Sequence, residues 1–474
     1  MKIHPIYISI LIGLIPVLSS CNKAVEVSPP TNELVSQSVF AQNSTAASAV
    51  SAIYQQMSVP SSIGGGQDGI SDYAGLSADE LTLSDQNPGD VALAPCYSNS
   101  FSETSAQPSI WTNLYKELYQ ANAAITGLTA SSGVSPAMKN QLLGESKFTR
   151  ALIMFYLTNL YGPIPLVTST NYASNALLPR SPQSDVYNQI VSDLVDATNK
   201  LSDNYLTPSG TVTTERVRPN KIAAETLLAR VYLYMKKYSL AEQCADSVIS
   251  NSNYTLEALN NVFLIGSREA IWQLELPVTN LGNTPDGDFF LFNLTGGINS
   301  SWPVSLSRNL FNSFEAGDQR KTSWTGSYVG SDGTTYYYPY KYKQGNTGNP
   351  PVEYPVVLRL GEVYLIRAEA RAQQQNLSGA ASDLDMIRTR AGLPNTTAVS
   401  QAELLTTIMN ERRHELFTEY GHRWLDLKRT GQVDGVMSVV TPQKGGTWKP
   451  TDALYPIPFG DIQYDPHLTQ NPGY

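Results

Sequence analysis

Apolar residues at helical spacing, bracketed by start and stop signals, recur along most of this chain, and they favour a helical scaffold over any sheet. Segment 111–128 puts Leu114, Leu118, Ala121 and Ile125 on one face. Segment 136–161 opens on Ser135-Pro136, a capping residue followed by proline at the first helical position, and ends at Gly162-Pro163. Segment 185–201 repeats the pattern with Val186, Ile190, Leu194 and Ala197. No alternation of strands with helices, of the kind that builds a barrel enzyme, is visible.

The next segments come in pairs. Asn220 can cap a helix carrying Ala224, Leu227, Leu228, Val231 and Met235. After the link Lys236-Lys237-Tyr238, Ser239 and Glu242 have the spacing of a capping box for a second helix with Ala241, Cys244, Ala245 and Val248. Two antiparallel helices with small residues where they cross resemble a tetratricopeptide unit. A second pair is expected over 361–390, stopped by Gly392 and Pro394. Ser400 and Glu403 then open what reads as one long helix to Arg429. No strict 34-residue period links these units, so a degenerate helical repeat is expected. Between them lie irregular stretches at 60–108, 202–218, 275–356 and 430–474. The first and third are rich in Gly, Pro, Asn, Asp, Ser and aromatics; loops of that length are usually functional or disordered, and the aromatics argue against disorder. Gly64-Gly65-Gly66 reads as a flexible turn.

The N-terminus carries an export signal. Lys2 precedes an apolar run from Ile6 to Leu18, too short to span a bilayer, which ends in Leu18-Ser19-Ser20-Cys21. A branched apolar residue, two small residues and a cysteine form a lipobox. The expectation is a signal peptide over 1–20, lipidation at Cys21, a flexible tether over 21–35 containing Pro29-Pro30, and a single domain over 36–474. No later segment holds 18 consecutive apolar residues, so the chain is anchored to a membrane without spanning it.

Composition narrows the function. The net charge is −9, from 41 acidic and 32 basic residues, which argues against nucleic acid as a partner. Beyond Cys21 only Cys96 and Cys244 remain, too few for a disulfide framework or a zinc site. After His4 the histidines are His414, His422 and His467, none at metal-ligand spacing. Neither a nucleophile elbow nor a phosphate-binding loop occurs, so neither cofactor nor metal is expected. Asp286-Gly287-Asp288 lacks the alternating ligands of a calcium loop. The serious enzymatic rival is a glycoside hydrolase, which needs two carboxylates about a sugar; Asp79, Glu80 and Asp85 lie near aromatics.

Several segments resemble one family. Glu145 to Leu152, then Phe155-Tyr156 and Tyr161-Gly162-Pro163-Ile164-Pro165, look like its helix ending in Y-G-x-x-P. Ala223 to Leu233 resembles its central repeat, and Arg359 to Ala370 its R-x-x-E-x-Y-L-x-x-A-E-A stretch. Glu411-Arg412-Arg413-His414-Glu415-Leu416 with Arg423-Trp424-Leu425-Asp426-Leu427 is similar to its E-R-R-x-E-L…R-W-x-D-L signature. Pro456-Ile457-Pro458 through Gln470-Asn471-Pro472-Gly473-Tyr474 resembles its terminus. The family is SusD/RagB, the outer-membrane nutrient-binding lipoproteins of the Bacteroidetes. The resemblance implies a mostly α, tetratricopeptide-like scaffold with a large irregular ligand-binding region, including insertions at about 60–108 and 275–356. It further implies oligosaccharide binding without catalysis, and a SusC-like TonB-dependent transporter on which the lipoprotein sits as a lid facing the cell exterior. Peptide binding is a known variant, and a free-standing surface glycan-binding protein is the other alternative.

The charged signature itself reads as structural. Glu419 and Arg423 are spaced as an i,i+4 pair and Asp426 and Arg429 as an i,i+3 pair, and buried charges must be paired to be tolerated. Ligand contacts are expected in the two aromatic insertions. Asp72, Tyr73, Tyr97 and Asn99 are the candidates in the first. Trp302 and Trp324 are those in the second, near Phe289, Phe290 and the run Tyr336-Tyr337-Tyr338.

Overall fold

A computed structural model describes residues 36–84, 92–102, 109–277, 282–345 and 350–474. The signal peptide, Cys21, the tether and Asp85 lie outside them.

The helix Pro136–Tyr161 runs through the centre. From Gln141 onward most of its positions on every face are buried, as expected of a helix enclosed by the rest of its domain. Ile110–Ala130 and Gln183–Lys200 flank it, and Arg150 ties them together by donating to Asp193 at 2.6 and 2.8 Å and to Asn122 at 3.0 Å. The expected helix pairs form as Lys221–Tyr234 with Tyr238–Ile249 and Leu360–Gln373 with Leu377–Arg390. Ala229, Leu233, Ala241, Ile366 and Ala370 make one buried cluster where the two pairs stack. Small side chains there let the helix axes approach closely. The fold is mostly α, on a tetratricopeptide-like scaffold. Among the described residues no helix is long and apolar enough to cross a membrane.

Three local expectations are corrected. The Ser239–Glu242 capping box does not form: Lys237 is the capping residue, without a side-chain cap. Glu242 instead accepts from Arg371 at 2.8 Å across the helix pairs. By contrast the Ser400–Glu403 box forms, with both of its bonds present. The helix it opens stops at Glu415, and a second runs over His422–Arg429. The break at 416–421 has a tertiary cause. Lys341 draws the carbonyls of Glu415 and Phe417 at 2.8 Å each, Glu80 accepts from the Thr418 N–H at 3.3 Å, and Ser71 from the Tyr420 N–H at 3.1 Å. Thr418, Tyr420 and Gly421 take positive φ there. These bonds replace the helical ladder in a buried segment.

The third correction is a sheet where irregular chain was expected. Leu81–Leu83, Val304–Leu306, Thr335–Pro339 and Thr325–Val329 lie side by side in that order, all antiparallel, with Leu81 opposite Leu306 and Leu306 opposite Tyr337. The first strand comes from one insertion and the other three from the second. The stretch 430–474 likewise contains a helix, Val433–Gln443, which buries Val433, Met437 and Thr441.

The charged signature lies at the heart of the molecule. Arg359, 2 % exposed, reaches Glu269 at 3.0 Å, Glu415 at 2.6 Å and Glu419 at 2.7 Å. Arg320 joins Glu411 at 2.6 Å and Glu415 at 3.0 Å, while Lys341 and Arg390 complete the set on Glu419 and Glu415. Glu419 therefore pairs with Arg359 and Lys341, and Arg423 goes to Asp79, so the expected Glu419–Arg423 pair is absent. The Asp426–Arg429 pair is present at 2.7 Å.

Candidate functional site

The two insertions close on a cleft of about 600 Å³. Its floor is the sheet described above: Leu81, Thr82 and Leu83 from one strand, Ser305 and Leu306 from the next, Tyr336 and Tyr337 from the third. Tyr97, at the end of the short helix Leu93–Tyr97, forms one wall, with Val440, Gln443 and Lys444 beside it. Arg308, Asn309 and Asp332 are exposed lining residues at its rim.

Three half-buried tyrosines give this cleft its apolar faces. Tyr337 stacks on Phe311 with centroids 3.6 Å apart and planes 13° from parallel, and Lys321 lies 4.4 Å from the Phe311 centroid. That support fixes the Tyr337 ring from behind. Tyr336 donates its hydroxyl to Asp332 at 3.3 Å. Lys444 sits 5.2 Å from the Tyr97 centroid and donates to the carbonyls of Leu76, at 2.6 Å, and Ala78. Burial pushes the Lys444 ammonium down to about 7. Half-buried rings beside polar and charged side chains suit a ligand with apolar C–H patches and many hydroxyls.

At the base, Asp79 is held by Arg423 at 2.7 Å and Arg413 at 2.8 Å, and these guanidinium groups keep it ionised, below the ordinary carboxylate range, despite its burial. Its neighbour Glu80 is pushed up to about 8, by burial first and by the Asp79 charge second.

Of the six ligand-contact candidates named from sequence, the structure brings Tyr97 into the cleft and leaves the other five out, while Tyr336 and Tyr337 of the neighbouring tyrosine run, and Asp79, also line it. Asp72 and Tyr73 are buried in the helix Ile70–Ser77, which is enclosed on every face; the Tyr73 hydroxyl donates to Asp68 at 2.6 Å. Asn99 is a buried brace, donating to the Ser77 carbonyl at 3.1 Å and accepting from Thr441 at 2.9 Å. Trp324 is 0 % exposed and its indole donates to the Leu259 carbonyl at 2.9 Å, so it has no face to offer a ligand. Phe289 and Phe290 are core residues as well. Trp302 is half-buried, donates to the Asp288 carbonyl at 2.9 Å and packs on Leu291, Phe292 and Tyr338, away from the cleft. The sequence reading passed over Arg308, Asn309, Asp332 and Gln443; nothing in their spacing marks them.

Residues 299–474 match the family model described as the SusD family, and residues 82–233 match one described as starch-binding associating with outer membrane. SusD-like protein P2 of Formosa agariphila is 25% identical over 417 residues, covering 77% of this chain and 80% of that one. Starch-binding protein SusD of Bacteroides thetaiotaomicron is 23% identical over 431 residues, 73% of this chain and 75% of its own. A SusD superfamily protein from Bacteroides vulgatus shares the fold with a TM-score of 0.79 at 19% identity, over 92% of this chain and all of that one. With the two matched regions, 82–233 and 299–474, together making up more than half of the chain and the fold shared over most of its length, the chain belongs to the SusD/RagB family.

Proposed function

We propose that this chain captures a glycan in the cleft between Tyr97 and Tyr336–Tyr337 and passes it to a SusC-like TonB-dependent transporter, for which it serves as a lid. The cleft carries the reading: supported aromatic rings ringed by hydroxyls, amides and charges, where strands of both insertions pair. The starch-binding descriptions of the matching family model and of the Bacteroides thetaiotaomicron relative support it.

Hydrolysis fits the same cleft poorly. A glycosidase needs one carboxyl held protonated and a second free to act across the sugar. Asp79 is locked between two arginines and ionised, while Glu80 lies beneath it, buried, with one oxygen on the Thr418 N–H. Among the described lining residues that leaves Asp332 as the one exposed carboxylate.

Calorimetric titration against polysaccharides and peptides tests the reading. Tyr97→Ala and Tyr337→Ala should each weaken glycan binding tenfold or more, roughly 1.4 kcal/mol, the loss expected when an anchoring ring is removed. Trp302→Ala should bind as the parent does. If both tyrosine variants stay folded and bind normally, the cleft is not the site; if only peptides bind, the peptide-binding alternative holds.

The lid role rests on anchoring. A signal peptide over 1–20, lipid on Cys21, a tether over 21–35 and a single domain over 36–474 would leave the body on the exterior face, held at high local concentration over a pore. Such an interface should exceed roughly 1,000 Å². Affinity capture of the tagged protein from mild-detergent extracts should bring down a large β-barrel. Recovery of this protein alone, under conditions that preserve comparable complexes, would favour the free-standing surface glycan-binding protein.

A further inference from the structure

The charge around the cleft runs against the rest of the chain. The protein carries a net −9, yet around the cleft three guanidinium groups, Arg308 in its lining and Arg413 and Arg423 packed on Asp79, are set against two lining carboxylates, Asp79 and Asp332. Asp79 is shared between Arg413, at 2.8 Å, and Arg423, at 2.7 Å, so that triad keeps one positive charge over. Arg413 also has spare donor capacity: its Nε is buried without an acceptor among the described residues, while a terminal nitrogen reaches Asn309 on the rim at 3.3 Å. Glu80 beneath does not redress the balance at neutral pH, because burial and the Asp79 charge hold its carboxyl protonated up to about 8. Lys444 adds to the positive side below about 7.

Arg308 is the exposed member. Its one bond among the described residues goes from a terminal nitrogen to the Thr335 carbonyl at 3.2 Å, leaving most of the guanidinium fork open at the rim. Asp332, also exposed, is engaged locally: it accepts from the Thr334 N–H at 2.9 Å and the Tyr336 hydroxyl at 3.3 Å. An uncompensated guanidinium over a concave, partly apolar wall concentrates field lines and matches the planar or trigonal oxygens of an anion.

We propose that the ligand of this cleft is an acidic glycan, whose carboxylate or sulfate ester is read by Arg308 at the rim. This rests on the cleft being a glycan site, and the test separates the two claims. The full-length protein in mild detergent is titrated with four probes. These are oligogalacturonate and its methyl ester, and a sulfated galactan oligosaccharide and its desulfated form. One anionic probe should bind at least about tenfold tighter than its neutral counterpart, about 1.4 kcal/mol, and this advantage should shrink as salt rises. Whichever pair shows the advantage identifies carboxylate or sulfate. Arg308→Gln should abolish most of the advantage, read within the variant as the ratio of its affinities for the anionic probe and its neutral counterpart. The ester comparison needs no variant, so a misfolded Arg308→Gln protein does not rescue the idea. Equal or tighter binding of the neutral forms, or binding confined to neutral glucans, overturns the acidic-ligand inference and leaves the glycan reading standing. Binding of no sugar at all overturns both.

Discussion

Arg359→Ala should cost about 3–5 kcal/mol of stability, the penalty for removing one partner from a buried ion-pair network, and lower the thermal midpoint by about 3–5 °C in a domain of this size. The guanidinium fork of Arg359 donates to Glu415 at 2.6 Å, Glu419 at 2.7 and 2.8 Å, Glu269 at 3.0 Å and the Glu415 carbonyl at 2.7 Å. Arg320, Arg390 and Lys341 share those carboxylates but cannot cover the positions Arg359 vacates, so carboxylate oxygens would be stranded away from water. Arg359→Lys keeps the charge and loses the fork, and should fall between parent and alanine variant. Lys147→Ala, which removes a partly exposed pair with Asp196 at 2.6 Å, should cost about 1 kcal/mol or less. Circular dichroism melts of the three variants give the comparison. An Arg359→Ala melt close to that of Lys147→Ala would mean the network does not hold the fold together.

That network explains which parts of the fold were legible in the sequence. Helices whose signal is a periodic apolar face were readable, because one face packing on a neighbour is all they need; Asp185 to Leu201 and the 220–235 helix are of this kind. Boundaries fixed by distant partners were not. The break after Glu415 depends on Lys341, Glu80 and Ser71, which are remote in sequence and carry no local helix-stopping signal. The sheet escaped for a similar reason. Tyr336-Tyr337-Tyr338 is a run of one residue type, without the alternation of polar and apolar residues that marks a strand with one wet face, and Leu81–Leu83 is only three residues long.

The candidate site was legible in outline and not in detail. Two aromatic insertions were expected to hold it, and the cleft forms where they meet. Within them, sequence does not distinguish a ring that packs from a ring that waits for a ligand. Trp324 and Tyr73 lie among polar neighbours, as a binding aromatic would, yet both are in the core because their chain segments are themselves enclosed. Tyr97 stays accessible because it ends its short helix at the cleft wall. Arg308 and Asp332 are single charged residues in polar surroundings, and only the folded chain sets them on one rim.

Gly65→Ala should destabilise the protein by about 2–5 kcal/mol, from roughly 1–2 for a side chain at positive φ and roughly 1–3 for a buried bond lost. The triglycine run, expected to be a flexible turn, is a buried clasp. Gly65 has φ +88°, and a Cβ there would stand 2.5 Å from Asp286 Cγ. The adjoining Gly66 N–H donates to Asp286 Oδ1 at 2.7 Å, and Ser71 donates to its other oxygen at 3.4 Å. Asp286, considered above for calcium, therefore joins the first insertion to the second just before the chain supplies the cleft strands Leu81–Leu83 and Val304–Leu306. Loosening it should weaken ligand binding as well as stability. The clasp also carries a pH signature. Burial raises the Asp286 carboxyl from the ordinary 3.8 to about 7, so the folded chain holds a proton that the unfolded chain releases at lower pH. The contribution of this group is full below about pH 4 and is lost as pH rises through 7. Denaturant titrations at pH 5 and pH 8 should show the parent losing stability between them, and Asp286→Asn, which cannot ionise, losing less. Equal pH dependence in the two proteins would show that Asp286 does not titrate in the folded state as its burial requires. A Gly65→Ala protein as stable as the parent would count against the clasp itself.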